Sequence, residues 1–248
     1  MAGMESKVNI KASFCFEMGN YHLMEDMPCQ DYIARHIGGE AVVVVLCDGA
    51  GSVVHSELAA QSVAEHFSKE FAENFYYWEC MDEENFRHSL LKEAQACTNE
   101  SGVKNACTFL LCAISYEGRL LWCHIGDGCI FGCFYEGPRV ISEPENGEEL
   151  NMTYFVSSAD VVEHIHRGEL QVDEETMIVM CSDGISDNLW KREENKFAPA
   201  FLTFQKWMET YSEQEVSDVL GTNLREVFRE KTEDDMSIAI MQIELAGE

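Results

Sequence analysis

The sequence predicts an α+β protein in which helices pack outside β-sheets. Three observations support this: apolar, β-rich runs recur along the whole chain, helical patterns interrupt them in two places, and no low-complexity linker divides the segments. The predicted order of strand, helices, several strands, helices and strand is typical of sheets covered by helices. The length of 248 residues suits one domain with a buried core. We therefore expect residues 1–248 to form a single domain.

Apolar runs predict the strands. The run AVVVVLC at residues 41–47 is apolar on both faces, which is typical of a strand covered on each side. The run ETMIVMC at 175–181 has the same character, and an Asp-Gly pair closely follows each run. Glu117-Gly118 and Gly126-Asp127-Gly128 are hairpin signals between neighbouring runs. The other extended segments are residues 7–17, 106–115, 119–125, 129–135 and 236–245.

Apolar residues at helical spacing predict four main helices. Ser52 is the expected N-cap of a helix to about Phe71, and Asp82 caps a second helix. The first carries Leu58, Ala59, Ser62, Val63, His66 and Phe67 along one face. Two more helices are expected at 197–209 and 212–230, the latter opening with the capping box Ser212-x-x-Glu215. Residues 19–31 are expected as a loop, and 143–170 as an irregular segment with a short helix at 159–167.

The composition excludes several classes of protein. A hydrophobic fraction of 46% is too high for a disordered chain. Seventeen Lys and Arg against 45 Asp and Glu give a net charge of −28, which repels nucleic acids and anionic lipids. We therefore expect neither nucleic acid nor membrane as a partner. The chain shows no secretory signal and no apolar run long enough to span a bilayer, so we expect a cytoplasmic location.

Eleven cysteines occur, without any C-x-x-C pair, and most lie in apolar runs. We interpret them as reduced thiols of the core rather than as a disulfide framework or a structural zinc site.

Half of the twelve aspartates lie next to the ends of apolar runs. They are Asp31, Asp48, Asp127, Asp183, Asp234 and Asp235. Carboxylates clustered with little water repel one another and take up protons unless a cation neutralises them. Asp oxygens and backbone carbonyls are the ligands that Mg²⁺ and Mn²⁺ prefer. Asp-Gly is also an ordinary turn dipeptide, but its repetition at the ends of buried strands favours a metal site built from carboxylates.

Six short motifs then resemble, in order and spacing, the type 2C (PPM) metal-dependent protein serine/threonine phosphatases, most closely their bacterial-type branch. The motifs are CQD at 29–31, VVVVLCDGAGS at 42–52, ACTFLLCAI at 106–114, HIGDG at 124–128, VMCSDGISDNL at 179–189 and EDDMSIAIM at 233–241. The resemblance covers essentially the whole chain. It implies a four-layer α/β/β/α sandwich of two mainly antiparallel sheets flanked by helices.

The resemblance also implies a centre of two Mn²⁺ or Mg²⁺ ions, with a weaker third ion. By motif, Asp48 would bridge two ions and Gly49 would give its carbonyl oxygen to one, while Asp183 and Asp234 would bind the other. Asp127, with Asp183, would lie near the third ion. Asp31 would hold metal-bound water, and a hydroxide between the two ions would attack phosphorus in line.

The sequence departs from the family pattern at one functional position. Many members carry a phosphate-gripping Arg shortly before the first Asp motif, and none lies there in this chain. His22 is the nearest side chain that can carry positive charge, so we expect it to contact the phosphate or the leaving group. An ordinary loop histidine is the open alternative. Residues 143–170 fall where the family has a variable flap.

The expected function is hydrolysis of phosphoserine and phosphothreonine in proteins. A phosphorylated protein is the expected substrate, a cognate Ser/Thr kinase is considered as a further partner, and a monomer is expected. Two alternatives stay open: a catalytically weak regulatory or binding module that keeps the fold, and a metal-dependent hydrolase of small phosphate esters.

Overall fold

The computed structural model describes residues 8–99, 106–147, 152–173 and 176–245. The strands are β1 (Val8–Glu17), β2 (Asp31–Ile37), β3 (Ala41–Asp48), β4 (Phe109–Ser115), β5 (Arg119–Ile125), β6 (Cys129–Phe134), β7 (Gly137–Ser142), β8 (His166–Gln171), β9 (Met177–Cys181), β10 (Trp190–Lys191), β11 (Lys196–Phe197) and β12 (Met236–Leu245). The α-helices are α1 (Asn20–Glu25), α2 (Ser56–Glu73), α3 (Phe75–Glu79), α4 (Glu83–Asn99), α5 (Asp183–Leu189), α6 (Ala200–Thr210) and α7 (Glu213–Asn223). The predicted strand starts Lys7 and Glu175 lie outside the described residues, as do residues 148–151 of the predicted flap.

Two five-stranded antiparallel sheets form the centre of the fold. The first sheet has the order β1-β12-β9-β6-β7, and the second has the order β2-β3-β4-β5-β8. One apolar core lies between the sheets, a second joins the outer face of the second sheet to α2, α3 and α4, and a third joins the first sheet to α5, α6 and α7. This confirms the predicted four-layer α/β/β/α sandwich.

The alternation along β3 shows how the sequence produces these layers. Successive side chains of a strand point to opposite faces. Val43, Val45 and Cys47 pack against the helices, whereas Val42, Val44 and Leu46 pack between the sheets. Both faces of β3 are therefore buried away from water, as the apolar run predicts. A polar side chain of this strand can reach a solvent-filled cavity only from the end of the strand.

Helix α2 begins later than the sequence predicts. Ser52 is not its N-cap, because residues 50–55 form turns in which Val53 N–H donates to the Ala50 carbonyl at 2.9 Å. The turns end at His55, whose φ of 64° is left-handed. Leu58, predicted on the buried face, is 45% exposed, since the buried stripe runs through neighbours such as Ala59 and Val63.

Other differences arise where strands and helices are short or mixed in polarity. Residues 19–31, predicted as a loop, contain α1 and the start of β2, and β7 also escapes the sequence prediction. In place of a helix at 159–167 the chain forms a 3-10 turn, Val161–His164, and then β8. The side chains of β8 are half exposed at a sheet edge and therefore lack an apolar pattern.

The hairpin predicted at Gly126-Asp127-Gly128 is wrong. Strand β5 belongs to the second sheet and β6 to the first, so this turn carries the chain from one sheet to the other.

The predicted caps at Ser212 and Asp82 are confirmed. Ser212 and Glu215 form both hydrogen bonds of a capping box at α7, and Asp82 accepts the Asn85 N–H at 2.9 Å ahead of α4. All eleven cysteines are free thiols and seven are buried. Among the described residues, no helix is both long and apolar enough to cross a membrane.

Candidate metal centre

Asp31 and Asp48 lie directly opposite each other at one end of the second sheet. Asp48 is the last residue of β3, Asp31 is the first of β2, and the two are paired in the antiparallel register. Thr108 fixes the backbone of Asp48, because its hydroxyl accepts the Asp48 N–H at 3.0 Å and its N–H donates to the Asp48 carbonyl at 2.8 Å.

Gly49 follows at a position where only glycine fits. A Cβ there would lie 2.8 Å from backbone atoms of Ser56, the first residue of α2. The Gly49 N–H donates to the Gln30 carbonyl at 3.0 Å. The end of β3 is therefore clamped between β2 and α2.

The first sheet supplies a second pair of carboxylate positions. Asp183 opens α5 shortly after β9, and Asp234 comes just before β12, the strand paired with β9. Gly184 makes the approach possible, since a Cβ on it would lie 2.2 Å from the Asp235 carbonyl oxygen.

Asp127 enters the same region through the turn between the sheets. Gly126 adopts a φ of 111°, and a Cβ there would meet the Thr108 side chain at 2.7 Å. The turn therefore needs glycine both for its backbone angle and for its contact with the residue that fixes Asp48.

These strand ends surround one cavity of about 780 Å³. Asp48, Gly49, Asp127, Asp183, Asp234, Asp235 and His22 all line it. Asp31 is not among the lining residues and lies buried beside Asp48. No Lys or Arg lines the cavity within the described part of the chain. The structure thus brings the sequence-predicted site residues to one place.

Burial and mutual repulsion raise the pKa values of the carboxyl groups. Burial raises the pKa of Asp183 to about 8, and the charges of Asp127, Asp234 and Asp31 add to the effect. The pKa of Asp48 is raised well above its ordinary value by burial and then by the surrounding aspartates, Asp31 first. Burial also raises the pKa values of Asp127 and Asp234. The cluster therefore favours either protons or cations.

The carboxyl group of Asp31 is buried without hydrogen-bond partners among the described residues. Burial and the charge of Asp235 raise its pKa to about 7, while the nearby Ser237 and Ser182 hydroxyls lower it without reaching hydrogen-bond geometry. Two unpaired buried acceptors are costly, so this carboxyl group is suited to receive a proton or a water.

His22 lies on α1 and not in a loop, and it is buried against Asp235. Its Nδ1 atom is 2.8 Å from Asp235 Oδ2, and both residues line the cavity. Asp235 also accepts the Gly19 N–H at 2.7 Å and the Gln30 N–H at 2.6 Å. The Nε2 atom is therefore the ring nitrogen left for a ligand.

Sequence reasoning missed part of the cavity wall. Gln30, Tyr21, Asn146, Thr153 and Phe155 line it as well. Asn146, Thr153 and Phe155 come from the segment predicted as a flap. These residues belong to no sequence motif that indicates a site. Gln30 alone could have been inferred, because it directly precedes Asp31 in the sequence.

The donor chemistry fits hard divalent cations. No three His, Cys, Asp or Glu side chains in the described structure converge as a ready set of ligands for one ion. Mg²⁺ commonly binds through one or two carboxylates and keeps several waters, so a polar cavity with dispersed carboxylates and a clamped Gly49 carbonyl suits it. Asp31 lies beside Asp48 but outside the lining of this cavity, and both of its oxygens are free of hydrogen bonds among the described residues.

The fold and the acidic cavity agree with the protein family that the sequence matches. The chain belongs to the protein phosphatase 2C family, whose model matches residues 18–225. A curated relative, serine/threonine-protein phosphatase 3 of Escherichia coli, is 26% identical over 243 residues, which cover 90% of this chain and 94% of the relative.

Two solved structures show the same fold. PppA, described as a key regulatory component of T6SS in Pseudomonas aeruginosa, has a TM-score of 0.67 at 12% identity and covers 96% of this chain and 99% of its own. The catalytic domain of the serine/threonine phosphatase PstP, solved with two manganese ions, has a TM-score of 0.60 at 15% identity, with coverage of 96% and 99%.

Proposed function

We propose that the protein is a metal-dependent phosphatase that removes phosphate from phosphoserine and phosphothreonine in proteins, with Mg²⁺ or Mn²⁺ as cofactor. Membership of the protein phosphatase 2C family and the relative named as a serine/threonine-protein phosphatase support this proposal. A phosphorylated protein is the proposed substrate, and a cytoplasmic location is proposed with it.

One observation carries the metal dependence. The cavity is lined by Asp48, Asp127, Asp183, Asp234 and Asp235, without any Lys or Arg among its described lining residues. A phosphate dianion would be repelled by such a wall. Cations in the cavity remove this repulsion, so binding of the phosphate and binding of the metal are coupled.

The residues divide into groups by position. Asp48, Asp183, Asp234 and the carbonyl oxygen of Gly49 would hold two ions, and Asp127 with Asp183 would hold a third. When bound, divalent cations neutralise the phosphoryl oxygens and lower the pKa of a nearby water, which supplies the nucleophile. Asp31 would accept a proton from that water and orient it if the water enters beside Asp48, since neither Asp31 oxygen accepts a hydrogen bond among the described residues.

His22 would contact the phosphate or the leaving group. Asp235 holds its Nδ1 atom and fixes the ring, so a doubly protonated ring would donate from Nε2 to a phosphoryl oxygen. The same proton can pass to the serine or threonine oxygen as it leaves, which is the usual work of a general acid.

The test is a titration of activity with Mg²⁺ and with Mn²⁺, on p-nitrophenyl phosphate and on a set of phosphoserine and phosphothreonine peptides. We expect turnover that depends on the cation and falls at least a hundredfold in Asp48→Asn and Asp183→Asn. Asp187→Asn is the matched control, because Asp187 lies exposed on the same helix as Asp183.

The remaining outcomes separate the alternatives. Turnover of p-nitrophenyl phosphate without turnover of any phosphopeptide would favour a hydrolase of small phosphate esters. No cation-dependent turnover of any substrate would favour a regulatory or binding module. Equal losses in Asp187→Asn and Asp183→Asn would contradict the proposed metal centre.

A further inference from the structure

A second, mostly apolar groove lies next to the acidic cavity. This side pocket, of about 320 Å³, is lined by Met27, Pro28, Val53 and Val54, with His55 and Glu57 at its polar end. Val54 is 79% exposed, and the Met27 and Val53 side chains are half-buried. The volume lies in the range of pockets that bind small groups.

The wall between the side pocket and the acidic cavity is formed by Gln30 and Gly51, which line both. A Cβ on Gly51 would lie 3.7 Å from Gln30 Oε1, so the two residues adjoin each other at this boundary. Gln30 is anchored to the site itself, because its N–H donates to Asp235 and its carbonyl accepts from Gly49. The boundary between the two pockets therefore has a fixed position relative to the carboxylates.

Backbone hydrogen bonds hold both walls of the side pocket. On one side Met27 N–H donates to the His22 carbonyl at 2.9 Å, at the end of α1. On the other, Val53 N–H donates to Ala50, and the left-handed backbone of His55 turns the chain into α2. These turns present Val54 to solvent beside the acidic cavity, next to the half-buried Met27 and Val53 side chains.

We propose that the side pocket binds an apolar side chain of the phosphorylated protein, from one of the three residues on one side of the phosphoserine or phosphothreonine. This inference rests on the proposed function. A peptide whose phosphate occupies the acidic cavity must leave it across its rim, and an extended chain advances about 3.3–3.6 Å per residue. A chain that crosses the rim at the shared boundary, Gln30 and Gly51, next reaches the side pocket, whose apolar walls match a Leu- or Met-like side chain.

The test uses phosphothreonine peptides with alanine at all flanking positions and one leucine moved from position −3 to position +3. The measured quantity is the ratio of kcat/KM for each leucine peptide to that of the all-alanine peptide. We expect a ratio of about ten at one position, carried mainly by KM, because an apolar contact of this size gives roughly that discrimination.

In Met27→Ser and Val54→Ser the ratio should fall towards one. Because both peptides are measured with the same enzyme, a loss of folded protein cancels from the ratio. Leu202→Ser is the matched control, since Leu202 on α6 is 72% exposed and does not line either cavity. Its ratio should equal that of the wild type.

A second measurement separates failure of this inference from failure of the proposed function. Binding of phosphonate analogues of the same peptides, with Mg²⁺, is followed by fluorescence anisotropy. A protein that binds the leucine analogue about tenfold more tightly than the alanine analogue, yet hydrolyses nothing, would keep the side pocket and refute the phosphatase. A flat response to leucine in both assays, or a preference that survives in Met27→Ser and Val54→Ser, would overturn the side pocket.

Discussion

The Nδ1 atom of His22 lies 2.8 Å from Oδ2 of Asp235, although 213 residues separate the two in the chain. Both side chains are almost fully buried, and both line the acidic cavity. This pair joins α1 to the segment before β12 and gives the cavity its one basic-capable side chain among the described lining residues. The pair lies next to the carboxylates that line the cavity, and neither residue is among the proposed metal ligands.

His22→Ala should therefore reduce turnover without removing metal. We expect kcat to fall by about a hundredfold or more, the lower end of what a general acid contributes. Mg²⁺ affinity, measured by calorimetry, should stay within twofold because the proposed ligands remain. His88→Ala, an exposed histidine of α4, serves as control and should match the wild type. Unchanged kcat in His22→Ala would show that the histidine is only structural.

Asp235→Asn should destabilise the fold as well as the site. Asp235 accepts hydrogen bonds from Gly19 and Gln30 N–H groups and pairs with His22, whereas the amide group of an asparagine donates where an acceptor is needed. We expect a loss of about 1–3 kcal/mol in the free energy of unfolding, measured in urea. A change below 0.5 kcal/mol, on the order of an ordinary surface substitution, would contradict this role.

Raising the pH should lower the free energy of unfolding, whereas adding Mg²⁺ should raise it. The folded-state pKa values of Asp31 and Asp183, about 7 and about 8, exceed their ordinary value of 3.8. The folded protein thus holds more protons than the unfolded chain in this window, so stability falls as pH rises from 3.8 towards about 8. A cation replaces those protons, and its effect should be larger at high pH.

Thermal unfolding with EDTA or with Mg²⁺ tests this at about pH 5.5 and about pH 8. We expect Mg²⁺ to raise Tm more at the higher pH, and Asp183→Asn to reduce the difference. An equal effect of Mg²⁺ on Tm at both pH values would contradict competition between protons and Mg²⁺ for these carboxylates.

Gly184→Ala should displace the segment that carries Asp234 and Asp235. The new Cβ would lie 2.2 Å from the Asp235 carbonyl oxygen, so the backbone must move. We expect a destabilisation of about 1–3 kcal/mol together with a weaker Mg²⁺ response of activity. In the control Gly39→Ala the Cβ meets only the end of the Glu73 side chain, at 3.4 Å. Wild-type behaviour of both variants would refute the close approach.

The layers of the fold were predictable because they follow from short-range patterns. The run that forms β3 is apolar on both faces, so a strand buried on each side was predictable. The aspartate that follows the run must then lie at the edge of the core, where the strand ends. The antiparallel pairing of β2 with β3 then brings Asp31 opposite Asp48. The resemblance to a known family supplied the roles of these carboxylates, which a strand pattern alone does not give.

The missing features depend on contacts between distant segments. Asp235 receives backbone N–H groups from Gly19 and Gln30, and nothing in the residues near Asp235 signals this. The edge strand β8 has half-exposed side chains without alternation, so its polar sequence predicts an irregular segment and not a strand. The side pocket likewise combines two turns far apart in sequence, and only the folded chain brings Met27 beside Val53.

Glu145 should control the geometry of the segment predicted as a flap. Its carboxylate lies 2.8 Å from His164 Nδ1 and 2.6 Å from His166 Nε2, and its N–H donates to the Gly126 carbonyl, next to Asp127. Burial acts to raise the pKa of Glu145, but the two histidine hydrogen bonds outweigh it and lower that pKa. The carboxylate therefore stays ionised below its ordinary range and holds both rings.

In Glu145→Gln the side chain loses its charge and keeps only one acceptor oxygen, which weakens its hold on the two histidines. We expect KM for a phosphopeptide to rise by about threefold or more while kcat changes less than twofold, because the cavity wall moves and the carboxylate centre does not. Glu143→Gln is the matched control, since Glu143 is exposed and pairs with Arg192 at the surface. A fall in kcat at constant KM would instead place Glu145 in the chemistry, and no change in either would mean that the histidine clamp does not shape the site.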